Sequence, residues 1–517
     1  MSGNDRVALE SLVVRCLRSG RPEEAERHLR ALVSRYPAEP RYCDRLATLL
    51  ERRGRAGEAI ACYRKLLRKH PGYTNSRYNL ARLLKRSGHP EKALKTYRQC
   101  LAAGIEQAEE VHTNISVIHT ESHRHEEAKQ ALQQALAINP TYLPALYNLA
   151  LLREELGDWS GARSLFSEVL QLDPRHSGAL SHIANGEKVA EPVAPIIRQM
   201  KRALRQPDVA EEDREELLYA LGKAHDDCRH FDRAFDYYQQ ANQLSRKRTG
   251  SYDRSAHESL VGQLAGHCTS EWLAAIEPVS DRPLVFICGM FRSGSTLLEQ
   301  ILAAHPAMTP GGEIDYFQQA LAPFPRGVIT AQPGALPAIG QGYLDHLARH
   351  FPAGARVINK RPDNFLCLAL LKALYPNVRI INTLRQPLDN CLSLYFQPLA
   401  AAQAYANGLL DAGHYYGQYR KLLGHWRDLL GDNLLDVRYE ALVENPRDTI
   451  ATVLAFLQLE WHEGCLDFHR ADNRVRTASV NQVRQPLYAG SSGRWQNYDR
   501  QLRPLRDYLL TLPRVEP

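Results

Sequence analysis

The chain has no apolar run that approaches the roughly 18 residues of a membrane span, and its start, MSGNDRVALESLVVRCLRSG, contains no continuous apolar core. These absences predict a soluble, cytoplasmic protein with no membrane partner. Ten cysteines are scattered singly from Cys16 to Cys465 without a CxxC pair, and no histidines cluster at ligand spacing. The pattern indicates neither a zinc site nor a disulfide framework; it predicts a reducing compartment and no metal. His123 and His125 read as exposed repeat-loop residues rather than ligands. A large charge imbalance is missing too, with 65 Lys and Arg against 58 Asp and Glu. The modest positive surplus favours an anionic ligand or an acidic partner, and no basic tail points to nucleic acid. At 517 residues the chain is too long for one ordinary core, so two or three domains are expected.

What the N-terminal half does contain is a period. Ala25, Ala59, Ala93, Ala128 and Ala162 are separated by 34, 34, 35 and 34 residues. Gly20, Gly54, Gly88 and Gly157 follow the same step, with His123 in the fourth slot, and Pro37, Pro71, Pro140 and Pro174 close their units in phase. Such a unit resembles the tetratricopeptide repeat, a pair of antiparallel helices, over about residues 6 to 180. Small residues let two helices approach closely, and the proline stops the second helix of each pair. A further pair is expected at 217–244, with Ala234 in the packing slot and Arg229 where glycine usually sits. The segment between it and the array, rich in prolines and charges, reads as a bent helical connector. Stacked pairs form a superhelix whose concave face holds an extended peptide or another protein. The alternative is that the array dimerises the chain or supports its other half.

From residue 281 onward short apolar runs alternate with longer helical stretches, as in a parallel sheet covered by helices. The candidate strands are 284–288, 355–359, 378–383 and 434–438. The first leads into FICGMFRSGSTLLEQILAAHP. Gly289 and Gly294 permit a tight turn, Arg292, Ser293, Ser295 and Thr296 offer donors, and a helix starts at Thr296, where unpaired amides gather. This forms a cradle for a phosphate-like anion. The spacing matches the nucleotide P-loop at every position but one: Ser295 stands where lysine is required, which argues against Mg-ATP phosphoryl transfer. Arg292 supplies positive charge instead, and its planar fork matches a tetrahedral oxyanion. A glycine-bearing turn that binds nothing is the plainer reading.

Each later strand also ends on informative polar residues. Gly311-Gly312-Glu313 delivers a carboxylate near the anion loop, which suits a general base aimed at an acceptor hydroxyl, or else an ordinary helix-start glutamate before an apolar helix from Ile314. Lys360 ends the second strand; it points either at a donor's bridging oxygen or simply at solvent, and both readings stand. Arg385 leaves the third strand and Ser393 lies about two turns into the next helix, so the two could converge on a second phosphate.

FICGMFRSGSTLLEQILAAHP, GGEIDYF, NKRPDNFLCLALLKALYPNVRIINTLRQPLDNCLSLYFQ, VRYEALVENP and RTASVNQVRQPLYAGSSGRW, in this order, resemble the bacterial tetratricopeptide-repeat sulfotransferase family, and more distantly the tyrosylprotein sulfotransferases. The resemblance spans essentially the whole chain. It implies a fold of the α plus α/β kind: a repeat superhelix followed by a P-loop-like parallel-sheet sulfotransferase domain. Its donor would be 3′-phosphoadenosine 5′-phosphosulfate (PAPS), with Arg292, Ser293, Gly294, Ser295 and Thr296 on the 5′-phosphosulfate and Arg385 with Ser393 on the 3′-phosphate. It further implies Glu313 as general base, Lys360 and Ser479 as stabilisers of the leaving phosphate and transferring group, and Tyr439 and Arg494 as nucleotide contacts. Ser479 and Arg494 lie in a long loop that reads as a lid. The chain departs from the family pattern at Phe291, where proline is usual, at Ser295, where threonine is usual, and at Arg361, where methionine is usual.

The expected division is a repeat array over 1–185, a helical connector with the further helix pair over 186–280, and the transferase over 281–517. The expected reaction is in-line sulfuryl transfer without a metal, to a tyrosine of a protein or peptide held by the array. A carbohydrate or small-molecule hydroxyl is the alternative acceptor, a repeat scaffold with an inactive transferase domain the alternative role, and a homodimer the alternative use of the array.

Overall fold

The computed structural model describes residues 3–122, 124–324, 326–470 and 492–513. The chain divides into two compact units, Met1–Pro174 and Arg175–Pro517.

The first unit is a stack of paired helices, from Gly3–Arg18 with Pro22–Arg35 to Leu143–Glu155 with Trp159–Leu172. The periodic alanines Ala25, Ala59, Ala93, Ala128 and Ala162 are all 0% exposed, as a close helix approach requires. The turns within pairs use Gly20, Gly54, Gly88 and Gly157 in the left-handed region, with φ of 66°, 73°, 74° and 86°. Pro37, Pro71, Pro140 and Pro174 lie two residues past the helices that end at Arg35, Lys69, Ile138 and Leu172. His123 falls outside the described residues.

In the second unit the helix pair Glu211–Asp227 and Phe231–Thr249 repeats that arrangement. Ala234 is fully buried, and Arg229, in the glycine slot, still adopts φ 60°. Residues of this pair, such as Leu218 and Tyr238, share one apolar core with Phe286, Cys288 and Ile380 of the sheet. The helices expected to connect the two halves are thus packed into the sheet domain's own core.

The sheet has five parallel strands, β1 Val285–Gly289, β2 Thr309–Pro310, β3 Val357–Lys360, β4 Arg379–Leu384 and β5 Leu434–Arg438, in the order β2-β3-β1-β4-β5. β1 is buried along its whole length because both faces are covered. Val285 and Ile287 pack with Ile358, Ile381, Leu298 and Ile301 on one side, and Phe286 and Cys288 enter the core of Phe317, Leu371 and Trp426 on the other. β2 escapes sequence reading because two residues carry no periodicity. The chain order reverses at β1, between β3 and β4, so a crevice opens at the carboxyl ends of these three strands.

Candidate active site

The loop that follows β1 is shaped by positions where a side chain would collide. Gly289 has φ 141°, and a Cβ there would lie 2.5 Å from the Thr383 carbonyl oxygen. Gly294 has φ 100°, with the Tyr439 ring 2.7 Å from the corresponding point. Between them Arg292 takes φ 67°, an uncommon backbone for a side-chain-bearing residue. Ser293 fixes the loop from inside: its buried Oγ donates to the Met290 carbonyl at 2.6 Å and lies 2.6 Å from Thr383 Oγ1. Asn390 donates to the Phe291 carbonyl at 3.0 Å, tying down the position where proline is usual. Ser295 opens the helix Ser295–Ala303, and Ser295 and Thr296 are both buried in its first turn. That turn carries amides without intrahelical acceptors.

Arg385, just past β4, reaches the same loop. Its Nη1 donates to the Arg292 carbonyl at 3.1 Å, and its guanidinium lies 4.7 Å from the Tyr439 ring centre. Burial lowers the Arg385 pKa, while Tyr439, Asp389 and Glu440 oppose that. Ser393, on the helix Pro387–Tyr395, accepts from Arg292 Nε at 3.2 Å. Arg292, Arg385, Ser393 and Tyr439, assigned from sequence to different parts of one ligand, thus form a connected group around the loop.

The carboxyl end of β3 brings the second cluster. Lys360 is 0% exposed and its Cα pairs with that of Ile287, two residues before Gly289. Its Nζ donates to Glu313 Oε1 at 2.6 Å, while the Glu313 side chain stays 35% exposed. Lys360 thus faces Glu313 rather than solvent. Glu313 sits in a turn, and the helix expected from Ile314 runs instead over Tyr316–Leu321, because Ile314 N–H closes back on the Gly312 carbonyl at 3.1 Å. Beneath the turn lies Glu299, which sequence reading missed. This carboxylate is 3% exposed and accepts the Gly312 N–H at 2.8 Å. Burial pushes its pKa up to about 7, against the pull of Lys360 and the Gly312 N–H and with a push from Glu313. An acid between the apolar pairs Leu297-Leu298 and Ile301-Leu302 of the helix STLLEQILA was the available signal.

The remaining assignments meet different surroundings. Arg494 Nη2 donates to Asp226 Oδ2 at 2.6 Å, with its guanidinium 5.1 Å from the Phe396 ring centre, so its charge is spent on the helix pair before the sheet. Its backbone neighbours Gly493 and Trp495 donate N–H bonds of 2.7 and 2.8 Å to Asp389, four residues before Ser393. Arg361, the family departure, is bound to Asp363 at 2.7 and 3.2 Å. Ser479 and most of the long loop lie outside the described residues. Among the described residues no group of three or more His, Cys, Asp or Glu is placed to hold a metal ion, and no helix is long and apolar enough to cross a membrane.

Residues 283–463 match the family model described as "Sulfotransferase family", and tetratricopeptide-repeat models match 16–74, 50–112, 119–185 and 215–248. The last match coincides with the helix pair that carries Arg229. An uncharacterised protein of Aquifex aeolicus (strain VF5) is 27% identical over 74% of this chain and 52% of its own length. A protein-tyrosine sulfotransferase of Drosophila melanogaster is 24% identical over 42% of this chain and 47% of its own length. The chain therefore spans about half the length of each of these relatives. Among solved structures, the sulfotransferase domain of the Synechococcus PCC 7002 olefin synthase aligns at TM-score 0.34 and 20% identity, covering 46% of this chain and 97% of that domain. Residues 283–463, which carry this loop and most of the sheet domain, thus match the sulfotransferase family model, and they follow repeats that match the tetratricopeptide models.

Proposed function

We propose that the protein transfers a sulfuryl group from 3′-phosphoadenosine 5′-phosphosulfate to a hydroxyl, first of all a tyrosine of a protein or peptide held by the repeat array. The reading is carried by the Lys360–Glu313 ion pair at the end of β3, beside the amide loop that ends β1. The site fits such a donor: two glycines keep the loop free of Cβ atoms where space is shortest, and Arg292 and Arg385 concentrate positive charge there. Arg292 to Thr296 would hold the phosphosulfate, and Arg385, Ser393 and Tyr439 the nucleotide's other phosphate and sugar. Arg494 would contribute through the backbone anchored at Asp389, because its guanidinium is neutralised by Asp226.

When bound, the donor supplies an activated sulfuryl group. Lys360 holds Glu313 through Oε1, which leaves Oε2 to take the proton of the acceptor hydroxyl. The ammonium of Lys360, the guanidinium of Arg292 and the hydroxyl of Ser479 would offset the charge that develops on oxygen. The tyrosine preference is supported by the likeness to protein-tyrosine sulfotransferases and by the attached repeats. The functional parts follow as 1–185 for recognition, 186–280 as the joining helices and 281–517 for transfer; ten free cysteines support a cytoplasmic setting.

Glu313→Gln tests the assignment. Sulfuryl transfer should fall by roughly two to four orders of magnitude, while adenosine 3′,5′-bisphosphate binds with little change. Near-normal turnover would remove Glu313 as the base. Labelled donor incubated with host lysate should leave its label on protein; label on protease-resistant small material would turn the acceptor into a carbohydrate or metabolite.

A further inference from the structure

The positive charge of this chain is concentrated in one place. Between Ala56 and Ala102, across the helices Ala56–Lys69, Thr74–Arg86 and Pro90–Ala102, eleven Lys and Arg face only two Asp and Glu. That local excess of +9 exceeds the +7 of the whole molecule. The same three helices enclose a groove of about 610 Å³. Arg64, Arg68 and Arg77 line it, together with Leu67 and Leu80. Arg64 and Arg68 are exposed and have no carboxylate within ion-pair distance among the described residues, and the Arg77 guanidinium donates to the Pro71 carbonyl. The cluster's carboxylate contacts lie elsewhere: Glu58 is held by Arg55 and Arg30, Lys85 by Glu121 and Arg86 by Glu51. A charged face that merely kept the protein soluble would be expected to intersperse acids among the bases.

We infer that this groove docks an acidic stretch of a partner polypeptide, in which carboxylates flank an aliphatic side chain. The guanidiniums match carboxylates as bidentate forks, and Leu67 and Leu80 offer an apolar wall between them. Nucleic acid is the poorer match, since no aromatic ring lines the groove to stack on a base. The inference rests on reading the repeats as a protein-binding array, and it adds the chemistry of what they bind.

The test measures fluorescence anisotropy of a short labelled peptide of repeated Glu-Glu-Leu against the full-length protein. Parallel titrations use its Lys-Lys-Leu counterpart and single-stranded DNA. The acidic peptide should bind, and more weakly as salt rises. Arg64→Glu with Arg68→Glu should weaken it roughly tenfold or more. Arg64→Lys with Arg68→Lys should retain most of the affinity, and Arg27→Glu with Arg35→Glu, the same charge change at exposed sites on another helix, should shift it less than about twofold. Equal losses in both charge-reversal variants, no peptide binding by the wild type, or tighter binding of DNA lost in the same variant would each overturn the inference. Adenosine 3′,5′-bisphosphate affinity and turnover of a small phenol are recorded alongside. Peptide docking without turnover would sink the transferase reading and leave this one standing; turnover without docking would do the reverse.

Discussion

Glu299 shows how one buried carboxyl couples the site to pH. Its pKa is raised from an ordinary 4.5 to about 7 in the folded chain, so between those values the folded state holds a proton that the unfolded state has released. Its contribution to stability is complete below about 4.5 and is lost as pH rises through 7. Glu299→Gln keeps an acceptor for the Gly312 N–H and removes the titration. The difference in unfolding free energy between wild type and variant should therefore change by on the order of 1 kcal/mol per pH unit within that window and level off above it. Urea titrations at several pH values measure this, and parallel curves for the two proteins would refute it. Glu313 was legible because it follows two glycines after an anion loop; Glu299 was not, because only the fold shows that its neighbours are Gly312 and Lys360 rather than solvent.

At the scale of the element, the helix pair Glu211–Asp227 and Phe231–Thr249 keeps the turn of the repeats without their glycine. Arg229 adopts φ 60° and donates its N–H to the Asp226 carbonyl at 2.8 Å, in a turn where Gly20, Gly54, Gly88 and Gly157 take φ of 66° to 86°. A left-handed backbone costs an ordinary residue roughly 1–2 kcal/mol, and glycine returns part of that gain through its freer unfolded chain. Arg229→Gly should therefore stabilise the second unit by about 0.5–1 kcal/mol. The urea midpoint would rise with an unchanged slope; a fall would mean that the Arg229 side chain makes a larger contribution than its backbone strain removes. The turn has consequences for the site, because the adjacent Asp226 side chain binds Arg494. The repeat pattern made the pair legible despite the missing glycine. The ion pair with Arg494, 268 residues away, left no trace in the sequence.

Over the whole molecule, ten free cysteines are divided by burial: Cys62 and Cys228 are half-buried and the other eight are buried. In the native, fully reduced protein Cys62 and Cys228 should react readily with an aromatic disulfide reagent; Cys43, whose Sγ lies 2.7 Å from that of Cys62, should then displace the reagent from Cys62 and release a third equivalent, and the remaining seven thiols should react only after denaturation. Rapid release of more than three equivalents would contradict the packing described for both units. The same distribution keeps thiols such as Cys288 and Cys391 inside the sheet domain as small apolar residues, with burial raising the pKa of both.

The sequence by itself determined the repeat period, the strands that bear the loop and the residue types of the loop. These are encoded within a few residues of one another, by spacing, glycine placement and apolar runs. Tertiary structure alone decided what each charge faces. Lys360 turned from an open alternative into the partner of Glu313, Arg494 went to Asp226, and Arg361 went to Asp363. Ion pairs form between side chains that the fold brings within about 4 Å, and for Lys360 with Glu313 and Arg494 with Asp226 that proximity joins distant parts of the chain; no local pattern records it.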